Sequence, residues 1–576
     1  MASFKNYPQA YVGNKAHSEA GVVIVGAGIS GICMAIDLLK KDIHNFVVLE
    51  KSGGPGGTWR DNKYPGCCCD VFSHLYSFSF EQNPNWTRLY SGQEEILKYL
   101  IRTAQKYDLY QYIRFNSSVE DARWNEEQKK WETSVKVDGG KDAEYGDSYT
   151  LTSDFLVSAV GQLNLPQYPN IPGLDDFQGK MMHSARWDWG YNFDGKRIGI
   201  IGNGATAAQV VPEVAKTASH LTVFQRTPNW VVPRYNVNVP WPVQAIFKYI
   251  RPTLWRFRAT LMDFREGYVF DSVASADSKS SDLVRKMTTH MLQSALPNRP
   301  DLREKLTPNY PPGCKRVIIS DDYFPAIGRD NVSLNTSPIE QVTENGIRTA
   351  DGEEEFDLII LATGFRTVEF MHPIQVTGRD NHDLSDIWKD GARALYGVGI
   401  EHLPNFAMLY GPNTNLGHSS IILMIEAQAR YVSKLISAVM GARQQGQTLT
   451  LTPKSDRVDE FNKELQEQIS HTSFADPNCN SWYKNEKGLV TNNWSSNVID
   501  YQKLLSKVNW NDFELSGYNA QQLAKKKTAR VGRVVEETVI TYKAIAITLV
   551  SMAAISAFKG PDAIPNMVRK FRMKLR

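Results

Sequence analysis

At 576 residues the chain is too long for a single hydrophobic core, so two or more domains are expected. With 42% hydrophobic and 22% charged residues its composition is ordinary for a globular protein, which excludes wholesale disorder. A net charge of +3, from 65 basic and 62 acidic residues, gives nucleic acid no electrostatic footprint to bind.

The first twenty residues, MASFKNYPQAYVGNKAHSEA, contain no apolar run, and no secretory signal is expected from them. Six cysteines in so long a chain do not make a disulfide scaffold, and reduced thiols in an intracellular compartment are expected. Cys33, Cys314 and Cys479 are scattered, and Cys67, Cys68 and Cys69 are consecutive. None has zinc-type spacing, so no metal site is expected.

In chain order, the first strong signal is GVVIVGAGISGICMAIDLLKK. A β-branched run, Val22 to Val25, reads as a buried strand; Gly26, Gly28 and Gly31 follow as GxGxxG, and a helix comes next. About twenty residues on, a second strand ends in Glu50. Glycines let backbone approach a pyrophosphate at a helix N-terminus, and the acid accepts from a ribose hydroxyl, which defines a dinucleotide site. The stretch GGTWRDNKYPGCCCD follows. SDFLVSAVGQLNLP, with Gly161, then reads as a strand running into a crossing between domains, and DDFQGKMMHSARWDWG succeeds it.

KRIGIIGNGATAAQVVPEVAK repeats the cradle, with Ile198 to Ile201 as strand and Gly202, Gly204 and Ala207 as GxGxxA. Its following strand ends in Gln225, Arg226 and Thr227, where an acid would hold the 2′-hydroxyl of NAD. An arginine there suits a 2′-phosphate, so the second cradle is read as NADPH-binding and the first as FAD-binding. Residues 233–313 are rich in aromatics and helix formers and carry no phosphate motif. YPPGCKRVIISDDYF places Lys315 and Arg316 before a β-branched strand, and EEEFDLIILATGFR is a second strand-to-crossing signal ending in Ala362, Thr363 and Gly364. The expected fold is α/β with two Rossmann-like dinucleotide-binding domains, and hydride passes from a nicotinamide to a flavin.

Two longer patterns say what the reduced flavin does. Phe177, Gly179, His183, Trp187 and Asp188 spell FxGxxxHxxxWD. Gly56, Gly57, Trp59, Tyr64, Pro65, Gly66 and Asp70 fix a second pattern, with the three cysteines at its free positions. Both resemble the signatures of type I Baeyer–Villiger monooxygenases, and the resemblance runs from about residue 20 to about 515. It implies an NADPH- and O2-dependent enzyme that inserts one oxygen atom beside a ketone carbonyl to give an ester or lactone. The region from NCNSWYKNEKG onward is most similar to fungal members, some of which serve secondary metabolism. An N- or S-oxygenating flavin monooxygenase is the alternative, although those enzymes usually carry Tyr or Phe at the place of Trp187. An electron-transfer reductase or uncoupled NADPH oxidase is a third reading, while a disulfide reductase would need two cysteines four residues apart.

The resemblance also assigns residues. Arg316 is the expected catalytic cation, Asp70 its orienting partner, and His183 acts indirectly by coupling motion of the NADPH domain to catalysis. The expected cofactor contacts in the first cradle and its extension are Gly26, Gly28, Gly31, Glu50, Gly57, Thr58, Trp59, Asp61, Asp70, Val71 and Tyr76. Further on they are Gly202, Gly204, Ala205, Thr206, Ala207, Gln209, Arg226, Thr227, Lys315 and Trp482, the last on a loop similar to one that closes over NADP. The implied domains are an FAD-binding domain of 20–165 and 365–515, an NADPH-binding domain of 166–232 and 314–364, and a helical insertion of 233–313.

Residues 516–576 lie outside the resemblance. Lys525, Lys526, Lys527, Arg530 and Arg533 lead into VITYKAIAITLVSMAAISAF, residues 539–558, and Arg569, Lys570, Arg572, Lys574 and Arg576 follow. Twenty mostly apolar residues between basic clusters suit a membrane contact. Lys543, Thr548 and Ser551 dilute the run, so a helix packed on the protein's own surface stands beside that reading.

Overall fold

The β-branched runs become the central, parallel strands of two sheets, the first of them mixed. The computed structural model describes residues 18–138, 147–534 and a few positions between 546 and 557. In the first sheet Glu19–Val25 pairs in parallel with Phe46–Leu49 on one side and Ser148–Ser158 on the other. Six of the seven residues of Glu19–Val25 and all four of Phe46–Leu49 are buried. Burial on both faces is why they are continuously apolar rather than alternating. Ile113–Arg114 extends one edge, and the antiparallel strands Lys130–Val137 and Ser117–Asn125 extend the other. Late chain returns to this sheet: Phe406–Met408 pairs with Ser148–Ser158 and Gln375–Thr377 with Ser117–Asn125. The long helix Ile421–Arg443 packs along the first helix, Ile29–Lys40.

The second sheet is all parallel, in the order Val332–Asn335, His220–Phe224, Arg197–Ile201, Leu358–Leu361, Lys180–His183. The chain passes between the sheets twice, and the two crossings are bonded to each other. Gln167 N–H donates to Gly364 O (2.9 Å) and Arg366 N–H to Leu165 O (3.1 Å), and the Thr363 hydroxyl donates to Gln167 O (2.6 Å).

Between the second sheet's strands the chain is helical at Trp241–Tyr249, Arg251–Phe264, Phe270–Ala274, Lys279–Ala295 and Pro300–Lys305. The π-helical turn Arg265–Val269 joins the second of these to the third. A short parallel pair, Val231–Val232 with Ile318–Ile319, carries the chain just past Lys315 and Arg316. Past residue 515 the chain stays on the body as far as residue 532. Thr528–Arg530 pairs with Lys507–Asn509, and Ser506 O accepts from Val531 and Gly532 N–H. Among the described residues no helix is long and apolar enough to cross a membrane, and most of 539–558 lies outside them.

One sequence expectation is overturned. Cys314 and Cys479 are not reduced thiols but a disulfide, with Cα atoms 6.3 Å apart across 165 residues. Folding brings together two cysteines whose spacing carries no local signal. Cys33, Cys67, Cys68 and Cys69 are free.

Two glycines show how tightly the first cradle is built. Gly26 has φ +106°, and a Cβ there would lie 2.6 Å from Ala159 O; a Cβ on Gly31 would lie 1.8 Å from Gly26 O. The second clash is with backbone and has no side chain to yield. Gly31→Ala is therefore expected to cost about 1–3 kcal/mol of stability or more and to lower flavin content. Chemical denaturation and the flavin absorbance of the purified protein check this.

Candidate active site

The helices behind both cradles begin without side-chain caps. Gly28 and Gly204 are the N-cap residues, and neither helix start is closed by a side-chain hydrogen bond. Their first N–H groups are thus presented over bare backbone, as a pyrophosphate requires. Gly57 faces Gly28 so closely that a Cβ on it would lie 2.9 Å from Gly28 Cα. Glu50 is buried, and its carboxylate accepts from the N–H of Ala27 (2.7 Å) and of Ser52 (2.8 Å). Burial raises its pKa in spite of these donors, and lone pairs remain for a hydroxyl. Thr58, Trp59 and Asp61 lie on the short helix that follows Gly57. Asp61 accepts from the Ser52 hydroxyl (3.1 Å), and the Trp59 indole donates to the Tyr76 hydroxyl (3.1 Å). Val71 is buried next to Asp70.

In the second cradle Gly202 repeats the geometry of Gly26, with φ +111°, and Ala207 is wholly buried where the first copy has Gly31. Ala205 and Thr206 open the helix at its uncapped end. Gln225 is buried and donates to Lys305 O (2.8 Å), whereas Arg226 beside it is exposed and Thr227 half-buried. Lys315, 89 positions later, stands close enough to Arg226 for that charge, after burial, to lower its pKa. Two neighbouring cations that repel each other are relieved by an anion between them. Gln209 is engaged with protein: its amide accepts from Cys68 N–H (3.3 Å) and donates to Cys68 O (3.2 Å). It joins the second cradle's helix to the cysteine run of the first.

The structure brings Asp70 and Arg316 together across 246 residues in a two-point ion pair. Nη2 of Arg316 donates to Asp70 Oδ1 (2.7 Å) and Nε to Oδ2, and Nη1 donates to Leu416 O (3.0 Å). The side chains keep 21% and 27% of their exposure for Arg316 and Asp70, so the pair is half-buried and still reachable. Burial works against the charge on Asp70, but the charge and hydrogen bonds of Arg316 outweigh it, and the carboxyl titrates below its usual range. Burial likewise opposes the charge on Arg316, and Asp70 more than offsets it, so the guanidinium is held charged. Sequence reasoning missed a second arginine here. Arg265, in the helical region, donates to Asp70 O (3.1 Å) and His418 O (3.3 Å), and nothing local in the sequence marks it.

His183 ends the edge strand of the second sheet, paired with Leu361, and is 2% exposed. Its Nδ1 accepts from Ala185 N–H (3.1 Å), and the backbone of Gly364 and Gln167 lies against the ring. That seats it at the two crossings, not at the Asp70–Arg316 pair. Trp482 is 39% exposed, and its carbonyl accepts from the Thr367 hydroxyl (3.1 Å) just past the second crossing. Cys479, three residues earlier, is tied by the disulfide to Cys314, which directly precedes Lys315 and Arg316.

Residues 19–475 match the family described as flavin-binding monooxygenase-like. A "FAD-binding monooxygenase ktnD" of Aspergillus niger is 52% identical over 537 residues, covering 93% of this chain and 88% of that protein. A "Baeyer-Villiger monooxygenase" of Streptomyces coelicolor is 38% identical over 520 residues, 90% of this chain and 96% of the relative. Among solved structures, OTEMO in complex with FAD and NADP superposes with a TM-score of 0.74 at 29% identity, covering 86% of this chain and 99% of that one. Cyclohexanone monooxygenase from Rhodococcus sp. Phi1 bound to NADP+ gives 0.74 at 26% identity, with 89% and 99% covered. The chain belongs to the flavin-binding monooxygenase-like family and, within it, to the Baeyer–Villiger monooxygenases.

Burial, helped by the nearby Arg186 charge, brings His183 down to about 4. An unfolded histidine titrates at about 6.5, so the unfolded state binds the extra proton first. Stability should therefore fall as pH drops from about 6.5 towards 4, with buried His74, also near 4, adding to the slope. His183→Gln is expected to lose less stability than wild type between pH 7 and pH 5 in urea titrations.

Proposed function

We propose that this chain is an FAD-dependent Baeyer–Villiger monooxygenase that uses NADPH and O2 to convert a ketone to an ester or lactone. The observation that carries the reading is the Asp70–Arg316 pair, built from the distinguishing aspartate of one motif and the cation of another. The first cradle fits FAD through its bare glycine backbone, uncapped helix and buried Glu50. The second fits NADPH through the cation pair Arg226 and Lys315, which lacks an anion among the described residues. Bound flavin supplies the activation of oxygen. On this reading residues 20–165 and 365–515 form the FAD-binding domain, 166–232 and 314–364 the NADPH-binding domain, and 233–313 the helical insertion.

What the protein supplies is a fixed cation. A guanidinium has five N–H bonds in a rigid fork. Two point at Asp70 and one at Leu416 O, which leaves one each on Nη1 and Nη2 of Arg316. These remaining donors, on a group that stays charged, would stabilise the negative charge that develops on the ketone's carbonyl oxygen when a nucleophilic oxygen adds to its carbon. His183 acts as a positioning residue: a neutral ring wedged at the crossings links movement of the second sheet to the first. Arg316→Ala is expected to keep NADPH-driven flavin reduction while ester formation falls by about two to three orders of magnitude. Stopped-flow reduction and product analysis with a cyclic ketone check both halves. Normal ester formation by that variant sinks the assignment.

A cytoplasmic or cytosolic-facing, membrane-associated location belongs to the same reading, the membrane contact through residues 539–558 being supported by their apolar run between basic clusters. The full chain is expected to sediment with vesicles containing anionic lipid, and a chain ended at residue 534 to stay in the supernatant.

A further inference from the structure

The helix running from Arg251 to Ala274 is interrupted at Arg265–Val269 by a π-helical turn, a feature that recurs at functional sites. The first two residues of that turn are both charged; Arg265 is buried, and the side chain of Glu266 is 6% exposed. Arg265 spans two backbone carbonyls, those of Asp70 and His418, with its guanidinium 5.0 Å over the Phe72 ring. Glu266 accepts from Val498 N–H (2.8 Å) and pairs with Nε2 of His418 (3.2 Å), whose side chain is 2% exposed. Arg316 meanwhile grips the Asp70 carboxylate and Leu416 O. Arg265 and Arg316 therefore hold the same two pieces of chain, Asp70 and residues 416–418, from two sides.

Buried charges are costly to place, and an apolar pair would fill the same volume without that cost. What an apolar pair cannot do is fix four polar groups in direction. Asp70 and residues 416–418 supply the three acceptors that orient Arg316, so a displacement of either piece turns its two remaining N–H bonds. The charge of Arg265 helps keep Asp70 ionised.

We propose that Arg265 and Glu266 are positioning residues for the Asp70–Arg316 pair, so that the helical insertion, which holds no cofactor motif, sets the aim of the catalytic cation. The inference rests on the reading of Arg316 given above. It predicts a defect in the oxygen-insertion half of the reaction alone.

The experiment uses the full-length holoenzyme with a ketone that wild type converts. Glu266→Gln keeps the shape and the acceptor for Val498 while removing the charge opposite His418. Arg265→Lys keeps the charge but lacks the rigid two-nitrogen fork with which Arg265 reaches the two carbonyls. Anaerobic flavin reduction by NADPH, ketone KM, kcat for ester, and ester formed per NADPH consumed are measured beside the melting temperature. Reduction and KM are expected within about twofold of wild type, with kcat for ester lower by about ten- to a hundredfold, the loss typical of a misplaced catalytic group. Hydrogen peroxide, from NADPH and O2, should make up the missing product. Should Glu266→Gln fail to fold, His418→Gln breaks the same pair from the other side. Unchanged kcat and ester yield in these variants, or a parallel loss of flavin reduction, overturns the inference while the functional reading stands. A wild-type enzyme that reduces its flavin and makes no ester removes the reading and the inference with it.

Discussion

The ion pair between Asp70 and Arg316 is the constraint on which the rest of this structure turns. Its members come from opposite halves: Asp70 ends an extension of the first cradle, and Arg316 precedes a short strand that pairs beside the second. Neither half can satisfy its charge alone. Bringing a half-buried carboxylate and guanidinium together with two-point geometry offsets the loss of water, whereas removing one partner leaves the other charge without its partner, at a cost below the about 3–5 kcal/mol of a fully buried pair. The seating of the two halves is thus enforced by the same contact that orients the cation. Gln209, clasping Cys68 from the second cradle's helix, adds a neutral contact beside it.

The crossings between the sheets make the other junction. Because residues 165–167 and 364–366 bond to each other, the two passages act as one ribbon and not two independent tethers. His183 sits on that ribbon as an unprotonated ring, and Thr367 at its end holds the carbonyl of Trp482. The disulfide then fastens the same loop, through Cys479, to the residue before Lys315. Any rotation of the second sheet about the ribbon carries this loop along. Loop position and cation position are therefore mechanically related.

How much of this was legible in the sequence follows from how local each feature is. Both cradles are written within about thirty residues each, as strand, glycines and helix, because the physics of binding a pyrophosphate is satisfied by neighbours in the chain. Asp70 and Arg316 were legible through motifs, since no periodicity joins residues 246 apart. Arg265 and Glu266 were not, because a charged residue in a helical stretch looks solvated until the partner surface is known, and His418, in the loop before Ile421–Arg443, carries no local signal of its partner. The same holds for the disulfide: spacing of 165 residues carries no signal, and only the fold brings Cys314 to Cys479. Gln209 was legible as belonging to a cofactor region, but its engagement with Cys68 was not.

The run of three cysteines shows what such a motif constrains. Burial raises all three thiols, Cys67 to about 12, so none is a ready thiolate. Their backbone, in contrast, is held at every residue. Cys67 O accepts from Gln93 N–H (2.9 Å), Cys68 is bonded at both its N–H and its carbonyl by Gln209, and Cys69 N–H donates to Ser91 O (3.0 Å). Anchors on two sides leave the chain one path, and that path delivers Asp70 to Arg316. Side chains at the three positions need only fill the space available, for which a small, polarisable group is well suited. The free positions of the motif are therefore free because the main chain makes the contacts, and the aspartate that follows is fixed because its side chain does.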